Sequence, residues 1–179
     1  MPSFNNGKSK KVVNIPNPLY QSLQGRYFVG QTETIRFGKE KNAWGGLITS
    51  SHSDVKLFVN AFTITNHSNQ PFVAEIWFNP TLPGKPQISN KITPANTTLS
   101  PPPNPKVKIK FAELVRGVPN NGVNAFKRIV PPNSTLASDE DGKFIFSSGG
   151  SFVIFLVSPG NETVDAEVAF GWFEKNGGK

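Results

Sequence analysis

The chain has 179 residues, no cysteine and a formal net charge of +7. A chain this long buries roughly two-thirds of its unfolded surface, so it needs neither metal nor disulfide to fold. The missing thiols exclude cysteine catalysis and leave the redox compartment unreadable. Lys8, Lys10 and Lys11 carry three of the positive charges and leave +4 for the rest. That balance favours solubility and weak attraction to anionic surfaces, and nucleic acid is not among the expected partners.

Residues 1–19 read as a flexible arm. Asn5, Asn6, Gly7 and Ser9 disfavour order, and Pro16 and Pro18 are expected to exclude regular structure. Within the arm Val12, Val13 and Ile15 form a short apolar patch with β propensity. The first residues lack the apolar region of a secretory signal, so the chain is expected to be made in the cytoplasm. If it works at a spore or cell surface, it reaches it without such a signal. The longest apolar run, Phe152 to Val157, falls far short of a membrane span.

The body, 20–174, alternates at period two. Strands are predicted over Thr32–Phe37, Gly46–Thr49, Val55–Ile64, Phe72–Phe78, Val107–Leu114, Ala125–Val130, Lys143–Phe146 and Ser151–Ser158. In Val55–Ile64 the alternation sets Val55, Leu57, Val59 and Ala61 against Lys56, Phe58, Asn60 and Phe62. A last strand places Val164, Ala166, Val168, Phe170 and Trp172 on one face. Turn chemistry at Pro83-Gly84, Asn120-Asn121-Gly122, Asp141-Gly142 and Pro159-Gly160-Asn161 separates the runs. Residues 175–179 read as a disordered tail. With 16 Gly, 16 Pro and 15 Phe, the pattern predicts an all-β fold: a two-sheet antiparallel β-sandwich, jelly-roll-like.

Two segments echo each other: Lys91-Ile92-Thr93-Pro94-Ala95-Asn96-Thr97-Thr98-Leu99 and Arg128-Ile129-Val130-Pro131-Pro132-Asn133-Ser134-Thr135-Leu136. Each reads as a corner where Pro ends a ladder, Asn turns the chain and Thr-Leu begins the next strand. Between them and the following strand, Thr81–Pro105 reads as a long surface loop of extended polyproline character around Pro101-Pro102-Pro103.

Chemistry-bearing clusters are sparse. Ser51-His52-Ser53-Asp54 places triad residue types side by side, whereas a triad needs them converging in space; it reads as a polar loop. Two histidines and no cysteine argue against a zinc site, and no cofactor is expected. Ser138-Asp139-Glu140-Asp141-Gly142 lacks the later bidentate Glu of a calcium loop and reads as a hairpin turn. Lys106, Lys108 and Lys110 share a strand face, a pattern that protects strands against aggregation or meets phosphates. Asn-x-Ser/Thr sequences begin at Asn66, Asn96, Asn133 and Asn161, all at turns. Trp172 belongs to the apolar face of the last strand. Trp77 is ambiguous, and Trp44, in Asn42-Ala43-Trp44-Gly45-Gly46, reads as loop-borne and exposed, the best candidate for ligand contact.

Several stretches resemble an uncharacterised family of small proteins from endospore-forming Bacillus-type bacteria: residues 18–34 (Pro18-Leu19-Tyr20 through Thr32-Glu33-Thr34), Lys41-Asn42-Ala43-Trp44-Gly45-Gly46-Leu47-Ile48, the two proline corners, and Ala169-Phe170-Gly171-Trp172. The resemblance covers most of residues 18–174 and transfers no functional residues. A looser similarity is to spore appendage subunits, jelly-roll proteins that polymerise when an N-terminal arm docks on a neighbour. This chain shares the arm and β body and lacks the cysteines that cross-link several such fibres. The resulting expectation is a non-enzymatic, self-assembling structural subunit of a bacterial surface or spore-associated fibre, docking through Val12, Val13 and Ile15, with itself as partner. The alternative is a glycan-binding β-sandwich module using Trp44, Trp77 and the proline-rich loop.

Overall fold

The computed structural model describes residues 12–177. A short helix, α1 (Asn17–Leu23), precedes twelve strands: β1 (Tyr27–Gln31), β2 (Ile35–Gly38), β3 (Asn42–Ile48), β4 (Val55–Asn66), β5 (Phe72–Phe78), β6 (Gln87–Ile88), β7 (Ile92–Pro94), β8 (Lys108–Val115), β9 (Val123–Val130), β10 (Ser134–Phe146), β11 (Ser151–Val157) and β12 (Thr163–Asn176). They form two antiparallel sheets packed as a sandwich. One has the order β10-β4-β12-β1-β7, with β2 also paired to β12; the other runs β6-β8-β3-β11-β5-β9.

The sandwich forms because alternate side chains of both sheets are large and apolar. Phe152 on β11 is the hub: its ring centroid lies 5.4 Å from Phe62, 6.0 Å from Phe78 and 6.2 Å from Phe170. As the alternation predicts, Val164, Ala166, Val168, Phe170 and Trp172 of β12 all face this core.

The face assignment of β4 holds only to Val59. Gly171 of β12 pairs with Ala61 while Trp172 pairs with Val59, so Asn60 is an extra residue in β4. A one-residue bulge exchanges the two faces of everything beyond it. Phe62 and Ile64 therefore turn inward and are buried, and Ala61 and Thr63 turn outward. On the other side of β4, Asp139 pairs with Ala61 and Phe144 with Val59, which leaves 140–143 looped out of β10. The Asp141-Gly142 pair does supply positive φ, +51° and +73°. It does so inside one continuous strand, not at the predicted hairpin.

Four other expectations change. Residues 17–23 are helical although Pro18 lies among them, because proline in the first turn gives up an N–H that has no helical partner anyway; the Tyr20 amide closes the turn on the Pro16 carbonyl at 3.0 Å. At the other end β12 continues through Asn176, and the Gly177 amide donates to the Asp54 carbonyl, so the predicted tail begins as ladder. The long loop contains β6 and β7, which pair with β8 and β1. The two proline corners also diverge. After Pro131 the chain crosses from β9 to β10 in the other sheet, with Thr135-Leu136 at the start of that strand. After Pro94 no strand begins at Thr98-Leu99.

The proline segment is tied down by a buried carboxylate. Glu174, 7% exposed, accepts hydrogen bonds from the amides of Lys106 and Val107, each at 3.0 Å, and from the Trp172 indole at 3.1 Å. A carboxylate with three N–H donors is well compensated for leaving water. Removing it strands three donors at once. Glu174→Ala is expected to lower the unfolding free energy by about 3–5 kcal/mol, and Glu174→Gln by less, as read in denaturant titrations.

Candidate functional site

The registers place the outward residues of the first sheet in rows across the strands. One row is aromatic: Phe58 on β4, Phe173 on β12 and Tyr27 on β1 are cross-strand neighbours. Phe58 and Phe173 stack at 4.8 Å, with the Lys175 ammonium 5.1 Å from the Phe58 centroid. The next row runs Asp139, Ala61, Gly171, Val29, Thr93, and the one after it Ala137, Thr63, Ala169, Gln31. Beyond lies a polar row in which Thr34 donates to Glu167 at 2.8 Å and His67 Nε2 stands 3.6 Å from the same carboxylate.

Small side chains in the two middle rows leave a shallow trough of about 470 Å³ over β4, β12 and β1, lined by Val29, Ala61, Thr63 and Ala169, with Lys91 at its rim. Gly171 lies beneath the Tyr27 side chain: a Cβ there would stand 2.5 Å from the Tyr27 hydroxyl. Burial raises the Tyr27 phenol pKa; the Asn60 carboxamide opposes this and the Asp139 charge adds to it. Asn60 is itself only 8% exposed, and its Oδ1 has no hydrogen-bond partner among the described residues. The acidic loop-out packs over one end of the trough, since a Cβ on Gly142 would come within 2.7 Å of the Phe173 ring.

The docking residues expected from the sequence are exposed. Val12 is 82%, Val13 70% and Ile15 43% exposed. Lys8, Lys10 and Lys11 lie outside the described residues.

Trp44 is placed differently from the expectation. It lies within β3, is 2% exposed, and its indole donates to the Pro83 carbonyl at 2.8 Å. With Val153, Phe155, Ala112 and Val115 it forms a second apolar cluster on the outer side of the second sheet. Asn42 and Gly45-Gly46 suggest a loop, but here the glycines permit close packing in a strand: a Cβ on Gly46 would meet the Phe152 carbonyl at 2.7 Å. Trp77 is partly buried against the same cluster and donates to Glu75, which also pairs with Lys127 at 2.6 Å. Neither ring stands free as a stacking platform for a sugar.

The remaining clusters are dispersed. Ser51 Oγ lies 3.2 Å from His52 Nδ1 on an exposed turn, while Asp54 is drawn to Lys106 at 2.5 Å, which holds its carboxyl below the usual range. Lys106 thus leaves the lysine row, and Val107 and Ile109 between the lysines are buried. Among the described residues no group of three His, Asp or Glu side chains is arranged to hold a metal ion, and no helix is long and apolar enough to cross a membrane.

At the rim of the first sheet Arg36 grips Asp165 through two hydrogen bonds, 2.8 and 3.0 Å, and holds its carboxyl below the ordinary range. A depressed carboxyl stabilises the fold above the unfolded pKa and loses that contribution as pH falls through the folded one. Carbon-detected NMR titration should show Asp165 protonating below the ordinary aspartate range, and returning toward it in Arg36→Met. Trp44→Ala should destabilise by about 3–5 kcal/mol in denaturant melts, as befits a packing residue.

The family described as a family of unknown function (DUF6143) matches residues 3–179. No curated protein and no solved structure matches the chain.

Proposed function

We propose that the chain, which belongs to DUF6143, a family of unknown function, is a non-enzymatic structural subunit that assembles with copies of itself through its N-terminal segment, in a bacterial surface or spore-associated fibre. The observation that carries this reading is the exposure of Val12, Val13 and Ile15 ahead of a body whose core is already filled. Three neighbouring branched apolar side chains in water favour association with a surface that removes them from it. The body offers such a surface in the trough of the first sheet. Docking from one copy to the next builds a filament if the operation does not close and a ring if it does.

The test is electron microscopy with light scattering on the full chain and on a form lacking residues 1–15, which keeps the Pro16 carbonyl that closes the first turn of α1. The full chain is expected to form filaments or rings, and the shortened form to be monomeric with an unchanged melting transition. A full chain that stays monomeric at high concentration overturns the proposal.

A further inference from the structure

We infer that the trough between β1, β4 and β12 receives residues 11–15 of a second copy, so that Val13 and Ile15 sit on its small-residue floor and the lysines before them meet the acidic loop-out of β10. This rests on the self-assembly reading above and names the receiving surface.

The sheet edges are poor places for an added strand. β6, β7 and β2 have only two, three and four residues. β9 carries Lys127 and Arg128, and its ladder with β5 is broken by a register shift between Ile76 and Trp77. The β10 edge is interrupted by 140–143. Charges and bulges of this kind keep other strands from extending a sheet. What remains open is a face.

The face fits the segment in spacing and in charge. In an extended chain Val13 and Ile15 point the same way about 7 Å apart, and so do Ala61 and Thr63 along β4. With Val13 over Ala61, and Ile15 over Thr63 and Ala169, Lys11 comes toward the Phe58–Phe173 row, beside the acidic stretch of β10. There Asp139, Glu140 and Asp141 stand against two lysines, Lys143, 3.8 Å from Asp141, and Lys175, 5.4 Å from the Phe173 centroid. Lys8, Lys10 and Lys11 supply the opposite sign. The opposite direction would bring the lysines beside Glu167, which already holds Thr34 and His67.

The chain has no natural cysteine, so single introduced thiols report the contact cleanly. Full-length Val13→Cys is mixed with full-length Ala169→Cys, or with Thr63→Cys as a second trough position, under mild oxidation. Full-length Ile129→Cys, exposed on the β9 edge, serves as the comparison. The inter-chain disulfide to either trough position should form about tenfold faster than to Ile129→Cys. Asp139→Lys with Asp141→Lys in the receiving chain should slow it about tenfold at low ionic strength, and Lys10→Glu with Lys11→Glu in the donor should restore it. Equal rates at the trough and the edge, or preference for the edge, overturn the trough as receiver while leaving assembly standing. A wild-type chain that never associates overturns both.

Discussion

The extra residue in β4 is the constraint on which both faces of the first sheet depend. Strand side chains alternate strictly, so one inserted residue exchanges inside and outside for all that follows. With Asn60 in place, Leu57 and Val59 point into the core on one side of the bulge and Phe62 and Ile64 on the other. Without it, Phe62 would leave the aromatic group around Phe152, and Ala61 and Thr63 would take positions between the sheets that their small side chains cannot fill. β10 accommodates the same irregularity by releasing four residues, two of them acidic, and these bring Gly142 against the Phe173 ring. The filled core, the shallow outer floor and the acidic rim thus share one local cause.

The two outer faces of the sandwich are treated differently. The second sheet covers its outer apolar residues itself, with Trp44 hydrogen-bonded to Pro83 and Leu82 packed over the cluster. The first sheet packs Gly142 over Phe173 and the Tyr27 hydroxyl over Gly171, and leaves a shallow trough open over Ala61, Thr63 and Ala169. The N-terminal segment has the complementary composition: lysines, then branched apolar residues, then a proline. Glu174, next to Phe173, holds the end of the proline loop through the Lys106 and Val107 amides, so that loop is held by the body's own contacts.

The sandwich was legible because most strands keep a clean alternation. Phe72–Phe78 matches its predicted limits, and the inward face of β12 was visible in Val164 through Trp172. What stayed hidden was whatever breaks the period. A bulge has no required residue, and Asn60 looked like an ordinary outward position. Asp141-Gly142 has hairpin chemistry, yet positive φ serves a loop-out equally well. Trp44 was masked by glycines that a strand uses for close packing. The outward rows required the pairing of five strands, which no single segment of sequence reveals. The apolar patch of the N-terminal segment was visible directly, since three branched residues stand between lysines and a proline.

The most direct measurement is a cryo-electron microscopy map of the assembled particle at side-chain resolution. The account predicts density for Val13 and Ile15 of one subunit lying over Ala61, Thr63 and Ala169 of its neighbour, with Lys10 or Lys11 beside the 139–141 carboxylates. Assembled particles that leave this face open to solvent, or that seat the segment along the β9 edge, would contradict it.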